Sequence, residues 1–341
     1  MKNSDKRNRF TQQFNPSSKN IFTLPLGGKI LQGNVVLTGS VTISGVTAAG
    51  TQVGEGGPER LIKRIIVTAI PAANSRYPGG RIVDCSVRSL LRYAVAQHNG
   101  KFFGATQGDG LGNGANGTYN IYLSIPIYWA DSNLRRQVQT ALNADPTAYQ
   151  TIQVEVDTGT VTDCFAGNNG TYNFSNLQVQ WIDERENFAG DTYVRFQEDH
   201  IYLIPAAQSR AIDQAMPQDG SYESILYLAE ASTNLTLSDA ILNRVTLSGS
   251  TLDYDLWAPD IRQVMYDDEF LDPSVTGTGT YFIDFTDGLV GGAVPASDLQ
   301  MQLNLSNPSG ANQDDLLVYT RRLFAPVSYA PAGGPTAAKN S

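Results

Sequence analysis

The sequence predicts an all-β protein made of two tandem eight-stranded antiparallel jelly rolls (a double jelly roll), with a few short helices in the loops. Three observations predict this fold class. Only 17% of the 341 residues are charged, whereas a helical chain of this length would carry more Lys, Glu and Arg on its outer helix faces. Short stretches alternate between apolar and polar residues, as half-buried strands do. A set of sequence landmarks also occurs twice in the same order, which indicates a duplicated domain.

Two stretches near the start of the chain have strand patterns. In residues 34–44, NVVLTGSVTIS, Val35 and Leu37 share one face with the later Val and Ile, while polar residues occupy much of the other face. Residues 59–70, ERLIKRIIVTAI, are apolar on both faces in their second half. The first pattern predicts a half-buried strand, and the second predicts a strand enclosed in the core.

Three helices are predicted between the strands. The first follows Asp84, where apolar residues recur at helical spacing before the stop signal of His98, Asn99 and Gly100. The second covers residues 132–143, SNLRRQVQTALN, and the third begins at Pro259.

The duplication rests on four pairs of landmarks. GTYNIYL at 117–123 is matched by GTYFIDF at 279–285. The other three pairs are YQTIQVEVD at 149–157 with ASDLQMQLN at 296–304, NLQVQWIDER at 176–185 with DLLVYTRRL at 315–323, and the helix SVRSLLRYAVA with DIRQVMYDDEF at 260–270. The helix at 132–143 has no counterpart in the second copy, so we expect it to make a contact that only one roll makes.

Each copy has some eight short strands, which is typical of a jelly roll formed from two Greek keys. The predicted domain organisation has four parts: residues 1–20 as a basic N-terminal arm, 21–186 as the first jelly roll, 187–327 as the second, and 328–341 as a flexible C-terminal tail.

The charge is unevenly distributed over a chain with a formal net charge of -9. The arm has only one acidic residue, Asp5, and five basic residues: Lys2, Lys6, Arg7, Arg9 and Lys19. The acidic remainder argues against specific nucleic-acid recognition. The arm has the charge to contact phosphate, either of lipid headgroups or of packaged nucleic acid, and a solvated, disordered terminus explains it equally well.

Three stretches together carry a resemblance to a known family: PERLIKRIIVTAI, the following GGRIVDCS that leads into the first helix, and LDPSVTGTGTYFIDFTDGL in the second half. With the tandem duplication, they resemble the double jelly-roll major capsid proteins of tailless icosahedral viruses with an internal membrane, especially the bacteriophage members.

The resemblance implies a structural protein of the virion with no enzymatic activity. Two cysteines are too few for a disulfide scaffold, which favours synthesis in the host cytoplasm. The resemblance also implies homotrimers that form pseudo-hexagonal capsomers and tile an icosahedral shell around an internal lipid membrane. The implied partners are neighbouring capsomers, penton and minor capsid or membrane proteins, and the viral membrane itself. The membrane contact would be made through the N-terminal arm.

An enzyme would need a site, and the sequence offers weak candidates. His98 and His200 are the only histidines, Cys85 and Cys164 the only cysteines, and no HExxH or CxxC pattern occurs, so we expect no catalytic triad, metal or cofactor. No apolar stretch approaches the length of a membrane span. The glycine-rich GDGLGNGANG at 108–117 lacks the ending of a phosphate-binding loop.

Two alternative functions remain open. A carbohydrate-binding jelly roll, such as a lectin or viral receptor-binding protein, would use exposed aromatic residues, although cores and interfaces better explain Tyr119, Tyr122, Tyr128 and Trp129. A glycoside hydrolase or a Ca²⁺ site would use the acidic cluster Asp267, Asp268, Glu269 and Asp272, which a solvated helix end explains more simply.

Overall fold

The computed structural model describes thirteen stretches of the chain: residues 6–47, 51–52, 57–97, 114–130, 137–167, 169–206, 208–231, 236–249, 253–261, 278–285, 293–296, 299–307 and 313–326. None of the helices within these stretches has both the length and the apolar composition to cross a membrane.

The first eleven strands form the first roll, together with α1 Val87–Gln97, α2 Val161–Cys164 and two short 3₁₀ helices, Gly57–Leu61 and Gln137–Thr140. These strands are β1 Lys6–Gln13, β2 Lys19–Leu24, β3 Lys29–Ser44, β4 Thr51–Gln52, β5 Ile62–Pro71, β6 Gly80–Ser86, β7 Gly117–Tyr128, β8 Leu142–Asn143, β9 Tyr149–Thr158, β10 Phe165–Ala166 and β11 Thr171–Glu186.

The remaining strands form the second roll. They are β12 Val194–Ile204, β13 Ser209–Ala215, β14 Ser221–Ala231, β15 Thr236–Leu237, β16 Leu242–Ser248, β17 Asp253–Trp257, β18 Thr280–Asp284, β19 Val294–Pro295, β20 Gln300–Ser306 and β21 Asp314–Phe324.

The pairing order of the long strands is that of a jelly roll in both halves. In the first roll the sheet β1-β11-β3-β7 is accompanied by β2-β9-β5-β6. With the eight long strands lettered B to I in chain order, these sheets are BIDG and CHEF. In the second roll β12-β21-β14-β18 and β13-β20-β16-β17 give the same two orders. The predicted fold class is therefore confirmed.

The duplicated landmarks occupy equivalent positions in the two rolls. GTYNIYL lies in β7 and GTYFIDF begins at the turn before β18, and both strands are strand G. The other two strand pairs are strands H and I of their rolls. Helix α1 and the helical turn at 258–261 both follow strand F. Residues 262–270 of the fourth pair lie outside the described residues. The three strand pairs, with a helical turn after strand F in both rolls, are what a tandem duplication predicts.

Both rolls point in the same direction. Strand F of the first roll, β6, pairs in parallel with strand B of the second, β12, and this joins the two rolls through one ten-stranded sheet. Because successive jelly-roll strands reverse direction, the BC, DE, FG and HI connections of both rolls lie at one end, here called the loop end. The start of β1 and the end of β21 lie at the opposite end, here called the terminal end.

Alternation along the strands explains the core. In β3, Val35, Leu37, Val41 and Ile43 are all at most 1% exposed, as the sequence predicts for residues 34–44. Trp129 and Trp181 are fully buried and meet edge to face at 6.3 Å between ring centroids. Gly33 lies against Trp181, where a Cβ would stand 2.0 Å from the indole ring. A glycine in β3 thus makes room for one of the two buried tryptophans.

The helix predicted after Asp84 is confirmed as α1, and residues 258–261 form the start of the helix predicted at Pro259. The helix predicted at 132–143 is wrong over its second half, and residues 131–136 lie outside the described residues. Gln137–Thr140 is a 3₁₀ helix, and Leu142 belongs to β8, where it pairs with Ile30 of β3. Sheet pairing and burial of Leu142 override the helical spacing of this stretch.

Residues of the predicted N-terminal arm form strands. Lys6–Gln13 is strand B of the first roll and pairs with β11 along its whole length, and Lys19–Leu24 is strand C. Phe10 packs against the core and Phe14, directly after the strand, is 1% exposed, so aromatic residues that follow the basic ones anchor β1 to the core. Within the described residues, the first roll therefore begins at residue 6. Residues 1–5 and the predicted tail at 328–341 lie outside the described residues.

A glycine at a bulge gives the first testable prediction. Gly39 of β3 has a φ of +129°, and a Cβ there would stand 1.9 Å from the carbonyl oxygen of Asn176, where β11 shifts register. Strain and the clash together should make Gly39→Ala lower the free energy of unfolding by about 2–5 kcal/mol in urea titrations. Gly45→Ala is the control, because Gly45 has a φ of +71° but nothing within 4 Å of the added Cβ. Equal losses in the two variants would contradict the proposed clash.

Candidate functional site

Buried charged side chains are concentrated at the junction between the two rolls. The junction is defined by residues of both rolls that contact each other across the boundary. In the first roll these are Arg64, Ser86, Arg88, Tyr93 and Trp129, and in the second they are Arg195, Asp199, Glu223, Glu230 and Arg321. These contacts fix how one roll stands against the other.

Asp199 of β12 ties the second roll to the start of α1. Its side chain is fully buried and accepts hydrogen bonds from Arg64 Nη1 at 3.0 Å, from the backbone N–H of Ser86 at 2.6 Å and from Ser89 Oγ at 2.7 Å. Ser86 precedes the first helical residue, and its Oγ accepts the backbone N–H of Ser89 at 3.3 Å. A carboxylate from one roll thus satisfies donors at the N-terminus of a helix in the other, where the helix dipole favours negative charge.

Arg195 and Glu223 form a buried ion pair at the same interface. Arg195 Nε and Nη2 donate to the two Glu223 oxygens at 2.6 and 2.7 Å, and Arg195 Nη1 donates to the carbonyl oxygen of Trp129 in the first roll. Thr140 Oγ1 donates to the same carbonyl at 2.5 Å. A second guanidinium, that of Arg321, places its Nε 3.8 Å from Glu223 Oε2. One carboxylate therefore balances two buried cations.

Aromatic rings surround the second of these cations. Arg321 lies 4.6 Å from the ring centroid of Tyr93 in α1 and donates to its hydroxyl. The Tyr93 ring also packs against Tyr319 and Phe282 of the second roll, at 5.0 and 5.7 Å between centroids. Burial lowers the pKa of Arg321 to about 9, because the desolvated guanidinium is costly to keep charged. One helix of the first roll thus supplies packing for a charged residue of the second.

A third buried contact joins Arg88 of α1 to Glu230 of β14. The Glu230 side chain is 5% exposed and Arg88 is 22% exposed. Burial raises the pKa of Glu230 above its ordinary value of 4.5, and the charges of Arg88 and Arg60 oppose this shift. Asp315, the neighbour of Glu230 across the strand pair, raises the pKa of Glu230 further, and burial also raises the pKa of Asp315 itself.

The Arg88 contact predicts a pH dependence. A carboxyl group with a raised pKa stabilises the folded state below its unfolded pKa, and this stability is lost as the pH rises through the folded value. Arg88→Gln removes a cation that opposes the shift at Glu230. We therefore expect little effect at about pH 4 and a loss of about 1–3 kcal/mol at about pH 8, measured by urea unfolding.

The control for this prediction uses Glu230→Gln as the reference. In that background the further change Arg88→Gln should cost nearly the same at both pH values, since no carboxyl group remains to titrate. If Arg88→Gln alone destabilises equally at both pH values, the assigned contact is contradicted.

The segment between β7 and β9 contacts the chain that links the two rolls. Tyr193 donates its backbone N–H to the carbonyl oxygen of Gln139 at 2.7 Å. Two other parts of the first roll contact the same link: Tyr77, between β5 and β6, donates its hydroxyl to Asp191 at 3.2 Å, and Lys29 of β3 donates to the carbonyl oxygen of Gly190. The inserted segment of the first copy therefore contacts the chain that links the two rolls. It does so through Gln139, which lies in a 3₁₀ helix rather than in the expected α-helix.

The structure separates the predicted basic residues into two groups. Lys6, Arg7 and Arg9 lie on β1, with Lys6 at the terminal end, whereas Lys19 lies at the start of β2, which is at the loop end. Lys19 Nζ donates to Glu155 at 2.5 Å, and its pKa is raised, chiefly by that hydrogen bond. Lys2 lies outside the described residues. Of the five, the described residues bring three together on one strand.

The other chemical candidates take different places. Cys85 and Cys164 are buried, and burial raises the pKa of both thiols, that of Cys164 to about 12. His200 is exposed on β12, 4.7 Å from the Tyr202 ring. His98 and the acidic cluster at 267–272 lie outside the described residues. Within the described residues, no group of three His, Cys, Asp or Glu side chains is placed to hold a metal ion.

Sequence reasoning missed the junction, although a signal for it exists. Charged residues interrupt otherwise strand-like stretches at YESILYLAE in β14 and LLVYTRRLF in β21. Lys, Glu, Arg and Asp are almost never fully buried unless they are paired. Two glutamates and two arginines on neighbouring core strands therefore indicate buried ion pairs, but which of them face the other roll depends on the tertiary fold.

Comparisons with known proteins agree with the fold. No protein-family model matches the sequence, and no curated protein does. Solved structures match over most of the chain. The STIV MCP aligns with a TM-score of 0.69 at 14% identity, covering 95% of this chain and 98% of that one. The major capsid protein P2 from Bacteriophage PM2 aligns with a TM-score of 0.54 at 13% identity, covering 93% and 98%.

A third structure, the PBCV-1 virus capsid, has a TM-score of 0.55 at 11% identity and 95% coverage of both chains. Identities this low show the fold alone. The chain has the double jelly-roll fold found in viral major capsid proteins, as the sequence resemblance implies.

Proposed function

We propose that this chain is a viral major capsid protein, a structural protein of the virion without catalytic activity. The observation that carries the proposal is the junction. It joins two rolls of the same orientation through a shared sheet and buried cross-roll ion pairs, and the resulting double roll matches capsid proteins along nearly the whole chain. A rigid double roll is a suitable building block for a shell.

The geometry of the double roll supports a trimer. Two similar sandwiches side by side give each protomer two nearly equivalent outer flanks. Three such protomers around a threefold axis would present six rolls, a pseudo-hexagonal outline that tiles a closed shell, and closed symmetric assemblies are the usual outcome for soluble homo-oligomers. Other copies of this chain are the first partners, with penton and minor capsid or membrane proteins at the sites that a hexagonal unit cannot fill.

The terminal end is the proposed membrane-facing end. Lys6, Arg7 and Arg9 run along β1 from this end, and β21 also ends there. Basic residues near an anionic membrane contribute about 1 kcal/mol each. An internal lipid membrane beneath the shell is therefore a partner of matching chemistry, and the protein would be synthesised in the host cytoplasm before assembly.

The oligomeric state tests the capsid proposal. Multi-angle light scattering of the purified chain should give three times the protomer mass of 36.9 kDa, and negative-stain images should show hexagonal discs. A chain that stays monomeric at every concentration, including under conditions that favour assembly, would contradict the proposal.

Vesicle flotation tests the membrane contact separately. The triple variant Lys6→Ala, Arg7→Ala, Arg9→Ala should lose binding to vesicles that contain anionic lipid, and the loss should shrink as salt is added. Lys19→Ala is the matched control, because Lys19 lies at the loop end in an ion pair. Equal loss in the control, or unchanged binding of the triple variant, would exclude β1 as the contact.

A further inference from the structure

One tryptophan differs from the other two. Trp129 and Trp181 are fully buried, but Trp257, the last residue of β17, is 57% exposed. It is the most exposed of the large apolar side chains in the described part of the chain. Exposed aromatic residues beside polar groups are frequent at binding sites, where they supply much of the affinity. The aromatics that the sequence singled out, Tyr128 and Trp129 among them, are mostly covered.

Trp257 borders a cavity at the loop end of the second roll. The cavity has a volume of about 470 Å³, within the range of small-ligand sites. It lies between the ends of three strands, where β16 begins, β17 ends and β18 begins. Its lining combines apolar and polar side chains: Trp257, Leu242, Pro259, Tyr281, Asp239 and Asn243.

Two lining side chains of this cavity, Trp257 and Tyr281, contact neighbouring charged residues. Arg244 stands directly opposite Trp257 in the β16–β17 pair, with its Cζ 5.5 Å from the indole centroid. Arg244 is fixed in turn by a two-pronged ion pair with Asp255, in which Nε donates to Oδ1 at 2.5 Å. On the other side, the Tyr281 hydroxyl donates to Asp239 Oδ1 at 3.2 Å. A preorganised site loses less entropy when a ligand binds.

The charges around the cavity limit the class of ligand. A cation seeking the Trp257 ring would meet the guanidinium of Arg244, which already lies over that ring. An anion would meet the carboxylate of Asp239, while the charge of Arg244 is balanced by Asp255. What fits is a neutral molecule with an apolar face and a polar rim.

A pyranose sugar has this chemistry, because its axial C–H groups form an apolar face and its hydroxyls form the rim. We infer that the cavity binds a neutral saccharide, with a sugar ring stacked on the face of Trp257 opposite Arg244 and its hydroxyls hydrogen-bonded to Asp239 and Asn243. As in other aromatic packing, the strength of this stacking contact depends on the contact area and on the relative orientation of the two rings.

The position of the cavity in the fold suggests which glycans it would meet. It lies at the opposite end from the basic residues of β1, so in the proposed shell it would face away from the membrane and toward glycans on a host surface. This last step rests on the proposed capsid function, but saccharide binding itself does not. The purified chain can therefore fail one test and pass the other.

Tryptophan fluorescence offers a direct test, because two of the three tryptophans are buried. Quenching by acrylamide should report mainly Trp257. Titration with maltotriose, lactose and mannotriose should protect the emission from quenching for at least one of them, whereas sialyllactose should protect less than lactose. Absence of protection by all three neutral sugars, or stronger protection by the charged one, would overturn the inference.

Calorimetric titration tests which residues bind the sugar, using one that protects the Trp257 emission from quenching. Trp257→Ala should weaken binding about tenfold or more, Trp257→Phe should weaken it less, and Asn243→Ala should weaken it without touching the stacking surface. Tyr122→Ala is the control, since Tyr122 is 42% exposed on β7 of the first roll. Thermal melting of each variant verifies folding. Unchanged affinity in folded Trp257→Ala would place the sugar elsewhere and overturn the inference.

Discussion

Replacing Glu223 by Gln should lower the free energy of unfolding by about 3–5 kcal/mol, the largest effect we expect at the junction. Glu223 is the carboxylate between Arg195 and Arg321, which are 1% and 2% exposed. The substitution keeps the shape of the side chain but leaves two buried guanidiniums without their counter-charge. Urea unfolding of the purified chain at neutral pH measures the loss.

Two comparisons make the Glu223 prediction specific. Asp255→Asn removes the carboxylate from the equally two-pronged but exposed pair with Arg244, and it should change stability little because water screens that pair. The double variant Glu223→Gln, Arg195→Met should recover part of the loss, since it removes one surplus charge. If Asp255→Asn costs as much as Glu223→Gln, burial is not the cause.

Asp199→Ala should cost about 3 kcal/mol and should also separate the unfolding of the two rolls. Its carboxylate accepts three hydrogen bonds from the first roll, one of them from the guanidinium of Arg64 and one from the start of α1. Without it, the second roll loses its hydrogen bonds to Ser86 and Ser89 at the start of α1. Differential scanning calorimetry should then show a broadened or divided transition in place of the wild-type one.

Asp213→Ala is the matched control for Asp199. Asp213 lies on β13, is exposed, and accepts one hydrogen bond from Gln302 at 3.3 Å. We expect its removal to leave the melting profile unchanged. A sharp single transition for Asp199→Ala, with the same midpoint as the control, would show that the rolls do not depend on this contact.

The double jelly-roll architecture could be predicted from the sequence because the patterns that indicate it are local and occur twice. Period-two alternation marks the strands, as in Ile152, Val154 and Val156 of β9, and the Gly-Thr-Tyr start of strand G appears once in each roll. A repeat in fixed order implies two equivalent units whatever their exact pairing. Strand order then follows from the jelly-roll pattern.

Other features depend on partners distant in the chain. The eight residues of β1 have the composition of a solvated arm, and only their pairing with β11, 175 positions away at Asn8 and Asp183, makes them a strand. The stretch at 137–143 has helical spacing, but Leu142 pairs with Ile30 of β3 instead. The junction is the extreme case, because Asp199 and Ser86 lie 113 positions apart and neither stands in a recognisable motif.

Among the strands that the structure describes, one pair is parallel, β6 with β12, and it has a consequence for any shell built from this chain. An antiparallel contact there would have reversed one roll relative to the other. The loop end of one roll would then lie beside the terminal end of the other on both sides of the protomer. The parallel contact gives every protomer one chemical top and one chemical bottom before it meets another copy. In the proposed shell, folding of the protomer would therefore already determine which end faces inward, and assembly would only need to keep neighbouring protomers in the same orientation.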